Sequence, residues 1–276
     1  MTSPLITTRE LADSLDDPGL RIVDASWHLD GRDGYADFVE TRIPGAVFFD
    51  LEASSDPDDA LPHMLPSPLR FANRMGGLGL SRGDRIVVYD TSGIRAAPRA
   101  WWMLKAMGAA DVRVLDGGLP KWIAEGRRVE HGPPVRLEPT VFNARLDGDA
   151  VISLDQMKAL VETGGQVLDA RSAARFQGQA PEPRAGLRSG HMPGALNLPF
   201  DRIVSPDGTL ASEDELRAAF ETAGIDLTRP VTTTCGSGVT AAILSLGLAV
   251  LGLSSRLYDG SWSEWGGRSD TPVETG

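Results

Sequence analysis

A chain of 276 residues, 41% hydrophobic and 24% charged, is long enough for one large or two ordinary domains with real cores. Its formal net charge of -11 argues against a nucleic-acid partner, since phosphate binding needs clustered Lys and Arg. A single cysteine excludes an intrachain disulfide framework, and the longest apolar run, Ala241 to Leu253, is broken by Ser245, Gly247 and Gly252 and too short to span a bilayer.

The opening MTSPLITTRELADSLDD has no basic stretch followed by an apolar one, so no secretory signal is expected, and a cytoplasmic location without membrane contact is. RIVDAS (Arg21 to Ser26) then reads as an apolar strand ending in Asp-Ala, and RIPGAVFFD (Arg42 to Asp50) carries a PGA turn. GLSRGDRIVVYD (Gly79 to Asp90) and RVLDGGLPKW (Arg113 to Trp122) supply two more short strands, each closed by Asp. Arg127 to Ala150 holds Gly, the paired Pro133 and Pro134 and no sustained period, which predicts an extended connection between domains.

After this connection the pattern starts again. ISLDQMKALVET predicts a helix with Ser153 as N-cap and Leu154, Met157, Leu160 and Val161 at helical spacing. QVLDARS (Gln166 to Ser172) repeats RIVDAS, and HMPGALNLPFD (His191 to Asp201) repeats RIPGAVFFD. SEDELRAAFETAG predicts a helix opened by a Ser212–Glu215 capping box and stopped at Gly224. GIDLTRPVTTTC (Gly224 to Cys235) and RLYDGSWSEW (Arg256 to Trp265) complete the second set. The order is the same in both halves and the offset nearly constant, so a duplicated domain is expected. Alternating strands and helices imply α/β units, each a parallel sheet with helices on both faces.

The duplication bears on Cys235, because Asp90 stands at its position in the first copy. An unpaired carboxylate is expensive to bury, which predicts a slot that is polar and reached by water in at least one copy. The strand Val231 to Thr234 should end at Cys235, the two glycines of GSGVT should turn the chain, and TAAILSLGLAVL should start a helix. Such a junction points backbone N–H groups and the positive end of a helix dipole inward, at the carboxyl end of a sheet. A thiolate there is favoured over the thiol, so Cys235 is read as a nucleophile rather than a core residue.

On these residues, and on DASWHL, PHMLP, PRAWWMLKAMG, RFQGQAPEPRAG and CGSGVTA, the chain from Arg21 to Trp265 resembles the two-domain (tandem) rhodanese sulfurtransferases. The loop looks like that of members using 3-mercaptopyruvate. The resemblance implies a non-catalytic rhodanese-like domain over residues 1–130 with Asp90 in place of the cysteine, a linker over 131–150 and a catalytic rhodanese-like domain over 151–276. It implies sulfur transfer from 3-mercaptopyruvate through a Cys235 persulfide to a thiol or cyanide, with pyruvate released. The partners are then a small-molecule sulfur donor and a thiol acceptor, for which a thioredoxin-like protein is one candidate. No metal and no organic cofactor is expected, since one cysteine and four scattered histidines offer no ligand spacing.

Loop charge separates the donors. Thiosulfate-using members carry cations directly after the cysteine, whereas Gly236 and Ser237 are neutral, which suits a donor whose charge lies away from its sulfur. Arg175 and Arg184 align with the arginines that hold the donor's carboxylate and keto oxygen, a task for which a planar fork is suited. The plainer alternative has both as solvated arginines pairing with Glu182 or other acids, and Arg171, Arg188 and Arg268 are left to that reading. Gly236, Gly238, Val239 and Thr240 complete the substrate loop. The resemblance also places Ser237 in a relay with His63 and an acid whose position holds Glu52, one methylene longer than the family's aspartate. His28, His131 and His191 read as structural. A cysteine phosphatase is disfavoured because the position of its phosphate-clamping arginine is Ala241. A thiosulfate sulfurtransferase and a persulfide-carrier or regulatory binding module stand as the alternatives.

Overall fold

Ten short strands form two five-stranded, all-parallel sheets, and the computed structural model describes residues 3–276. The first half runs β1 (Leu5–Ile6), α1 (Thr8–Asp13), β2 (Leu20–Asp24), α2 (Gly34–Glu40), β3 (Val47–Phe48), α3 (Pro68–Gly77), β4 (Arg85–Tyr89), α4 (Ala97–Ala106), β5 (Asp111–Leu115) and α5 (Gly118–Ala124). The second runs β6 (Val151–Ile152), α6 (Leu154–Glu162), β7 (Gln166–Asp169), α7 (Ala173–Phe176), β8 (Leu196–Asn197), α8 (Glu213–Thr222), β9 (Val231–Thr234), α9 (Ala241–Val250), β10 (Ser255–Tyr258) and α10 (Ser261–Trp265). Sheet orders are β1-β5-β4-β2-β3 and β6-β10-β9-β7-β8, one permutation used twice. The α/β class and the duplication are therefore as the sequence predicts.

Local chemistry sets the elements. Ser153 and Ser212 each close a reciprocal capping box, with Gln156 and Glu215, so two orphan donors are satisfied at each helix start. α8 stops before Gly224, whose φ of 90° only glycine adopts without strain. α9 is apolar on every side and its residues Ala241 to Leu248 are all buried, as expected for a helix packed on β9 and β10. β9 reads VTTT yet is fully buried; Thr233 Oγ1 lies 2.9 Å from Ser245 Oγ of α9, which makes its hydroxyl tolerable there.

The chain divides into two compact units. One takes the residues up to Pro57, Leu65–Asp147 and Ser205–Leu210; the other takes Asp58–Met64, Gly148–Val204 and Ala211–Gly276. The stretch after α5 carries no helix or strand up to β6, and it packs on the first unit: the Thr140 amide donates to Gly76 O at 2.9 Å, and Phe142 meets Phe71 edge-on at 5.7 Å. The first core gathers Phe38, Tyr89, Leu119 and Trp122. The second gathers Met157, Tyr258, Trp262 and Trp265. Among the described residues no helix is long and apolar enough to cross a membrane.

Candidate active site

The loops after β4 and β9 leave the middle strand of each sheet at its carboxyl end, and they align residue for residue: DTSGIRAA against CGSGVTAA. In the first unit Asp90 fills its own loop. Its Oδ2 accepts the backbone N–H groups of Arg95, Ala96 and Ala97 at 2.9, 2.8 and 2.8 Å, and Oδ1 accepts that of Ser92 at 2.8 Å. Burial pushes this carboxylate above its usual range, and the four amides pull against that shift. The expectation of a slot reached by water needs correction, since Asp90 is only 1% exposed and Cys235 2%. What makes the position tolerate a carboxylate is the ring of amides, which replaces water as donor.

Cys235 sits where β9 ends, with its amide 3.3 Å from Ser261 Oγ and its carbonyl accepting Trp262 N–H at 3.0 Å. The Gly236 carbonyl is held by both the amide and the hydroxyl of Ser263, at 2.8 and 2.7 Å. α10 thus pins the first two residues of the loop. His63 Nδ1 lies 3.1 Å from Ser237 Oγ, and both residues are buried. Only two non-glycine residues among those described have positive φ, His63 at 63° and Ser261 at 49°, and both bond this loop. Such conformations cost free energy and persist where surrounding contacts over-determine them, typically at working sites. Ser261 escapes a sequence reading because nothing in its own type marks it. The available signal is Gly118, its counterpart in the first copy, at φ 55°.

Arg175 pairs with Glu182, as the plainer alternative expected, but is only 21% exposed rather than solvated. Its Nη2 and Nε donate to Glu182 Oε2 and Oε1 at 2.5 and 3.3 Å. Its guanidinium also lies over Gly236, so close that a Cβ there would be 3.0 Å from Nη2. Arg171, assigned above to solvent, is instead fully buried: it grips Asp169 through Nε and Nη2, Glu182 Oε1 through Nη1 at 2.8 Å, and Gly190 O, and stacks 4.3 Å over Trp262. Burial opposes its charge, yet Asp169 and Glu182 outweigh that and raise its pKa. The burial of Arg171 and its grip on Asp169 are what the sequence does not reveal, because one arginine among several nearby arginines and acids carries no mark of burial.

Gly238 (φ 77°) turns the loop, Val239 is buried and Thr240 is the N-cap residue of α9. Arg184 is half-buried in the irregular segment between α7 and β8. Glu52 lies in the first unit, in the wall of a cleft of about 340 Å³, and accepts the Trp27 indole N–H at 3.0 Å. The remaining histidines hold structure: His28 bonds Asp37, His131 bonds Glu40 O, and His191 stacks on Phe176. Arg188 donates to the carbonyls of Trp265, Gly266 and Thr271, while Arg268 pairs with Asp270 at the surface.

Comparison with known proteins identifies the family. The model of the rhodanese-like domain matches twice, over residues 7–125 and 153–268. The 3-mercaptopyruvate sulfurtransferase of Escherichia coli strain K12 is 45% identical over 269 residues, covering 96% of this chain and 95% of that one. Thiosulfate/3-mercaptopyruvate sulfurtransferase 1 of Arabidopsis thaliana is 40% identical, over 99% of this chain and 79% of that one. The crystal structure of SseA from Escherichia coli superposes with a TM-score of 0.87 at 41% identity, covering 95% of this chain and all of the other. The chain belongs to the rhodanese family, whose domain it carries twice in tandem.

Proposed function

We propose that the protein is a sulfurtransferase that moves the sulfur of 3-mercaptopyruvate through a Cys235 persulfide to a thiol or cyanide, releasing pyruvate. The observation that carries the mechanism is the Asp90 amide ring. A carboxylate oxygen is two bonds from Cβ, and so is the outer sulfur of a cysteine persulfide. The aligned loop of the second unit therefore suits a charged atom one bond beyond Sγ, and its donors by alignment are the amides of Ser237, Thr240, Ala241 and Ala242.

In this reading the Cys235 thiolate attacks the donor's sulfur, and the C–S bond breaks with its electron pair moving into the enolate of pyruvate. Arg175, and Arg184 further along the same segment, bind the carboxylate and keto oxygen and steady that enolate. The proton of the donor's thiol ends on the methyl carbon of pyruvate, leaving the persulfide as an anion in the amide ring. Ser237 and His63 carry this proton, with Glu52 as the candidate acid of the relay. An acceptor thiolate then attacks the outer sulfur and regenerates Cys235. Gly236, Gly238, Val239 and Thr240 form the substrate loop. The first domain, residues 1–130, is non-catalytic because Asp90 cannot form a persulfide; 131–150 is the linker and 151–276 the catalytic domain. The acceptor in the cell is a small thiol or a thioredoxin-like protein, and the location is cytoplasmic.

Thiosulfate is the second reading for the donor, favoured by the Arabidopsis thaliana relative, whose name carries both donors. The test is pyruvate release from 3-mercaptopyruvate with a thiol acceptor. Wild type should turn over, and Cys235→Ser should lose at least a thousandfold in kcat while keeping its melting temperature. Turnover surviving in Cys235→Ser would refute the assignment.

A further inference from the structure

Arg171 and Arg175, near the cysteine loop, are each matched by a carboxylate. Asp169 ends β7 and Arg171 follows just after it; Arg175 is on α7, and Glu182 lies beyond α7. Glu182 is 1% exposed at its side chain and both its oxygens are engaged, Oε1 by Arg171 and Arg175 and Oε2 by Arg175. Arg171 is fully buried and clamped from the other side by Asp169, so Glu182 has a fixed seat. Arg175, at 21% exposure, is the outermost member of this chain of charges.

Two consequences follow for the donor. Glu182 takes the Nε/Nη2 edge of the Arg175 guanidinium, which leaves the terminal Nη1/Nη2 edge over Gly236 for a second carboxylate. The four charges also cancel, so the guanidinium meets a donor inside a cluster of zero net charge. A fork of fixed direction rewards a planar carboxylate, and zero net charge withholds the long-range pull a compact dianion needs. The first copy has Ser26 in place of Arg171, which singles the cluster out as a feature of the cysteine-bearing copy.

Resting on the sulfur-transfer reading above, we propose that Glu182 is a positioning residue that selects the donor: it aims Arg175 at a monoanionic α-keto-acid thiol and, by cancelling charge, disfavours dianionic thiosulfate. The test compares kcat/KM for both donors in wild type, Glu182→Gln and Glu182→Asp. Glu182→Gln adds one net positive charge and should raise kcat/KM for thiosulfate roughly fivefold, while KM for 3-mercaptopyruvate rises. Glu182→Asp keeps the charge but shortens the reach, so KM for 3-mercaptopyruvate should rise severalfold with kcat nearly held and no gain on thiosulfate. Equal losses on both donors in both variants, with lowered melting temperatures, would reduce Glu182 to a structural residue and overturn the proposal. Should Glu182→Gln not fold, an unchanged KM in Glu182→Asp overturns it as well. A wild type that works while the donor preference stays fixed removes only the Glu182 assignment. A wild type inert to both donors removes the sulfur-transfer reading and this assignment with it.

Discussion

Asp24 and Asp169 occupy the same place in the two copies, at the carboxyl ends of β2 and β7, and the residue two positions on decides how each is handled. Asp169 has Arg171. Asp24 has Ser26, whose amide and hydroxyl donate to Oδ1 at 2.9 and 2.5 Å but bring no charge. Burial pushes Asp24 up to about 7, with the Ser26 hydrogen bonds pulling back and Asp90 adding to the rise. A carboxyl whose folded pKa is raised gives stability that is fully present below its unfolded value, near 3.8, and lost as pH climbs through about 7. Asp24→Asn removes the proton uptake, so denaturant melts should show the variant gaining on wild type from pH 5 to 8, by up to about 3 kcal/mol. A difference that is flat with pH would show that Asp24 is ionised in the fold. At this scale the chain was half legible. The nucleophile, Ser237, His63, Arg175 and the pairing of Arg175 with Glu182 could be named, while the burial of Arg171 could not, because the sequence does not say which arginine is buried. The neutrality of Gly236 was visible too, but its physical reason, the guanidinium lying on it, was not.

At the scale of the element, the βα loop of the first unit is an anion cradle, and the reading proposed for Cys235 gives the aligned loop the same task. In the first unit the anion is covalently part of the chain, and removing it leaves four amides of a buried turn without an acceptor. Asp90→Ala should therefore cost on the order of 2–4 kcal/mol, read as a lower denaturation midpoint. Added sulfate should recover part of the loss, and a stability equal to wild type would mean that the loop holds its shape without an anion. The helices and strands were readable because capping boxes, glycine stops and short apolar runs act locally. The left-handed backbone of His63 and Ser261 was not, since such a conformation in a non-glycine residue comes from its tertiary contacts and leaves no local mark.

For the whole molecule the duplication was legible at once, because both copies keep the same elements in the same order. The exchange of segments was not: Asp58–Met64 belongs to the second compact unit and Ser205–Leu210 to the first. Each segment lies far along the chain from the unit it completes, and only three-dimensional contacts reveal it. Asp58–Met64 brings His63 to Ser237, while the Leu210 amide donates to Asp116 at 2.8 Å in the other unit. Residues 148–276 expressed alone should accordingly melt broadly and below the full chain by circular dichroism. A sharp transition at the full-chain temperature would show that the second unit needs nothing from before Gly148.

The proposed activity depends on sulfur passing through one cysteine at the end of β9. Intact-protein mass spectrometry after brief exposure to 3-mercaptopyruvate without acceptor reads this directly. The protein should gain the mass of one sulfur atom, located to the Cys235 peptide and discharged by added thiol or cyanide. Pyruvate released at full rate with the cysteine left unmodified, or sulfur carried on any other residue, would contradict the account.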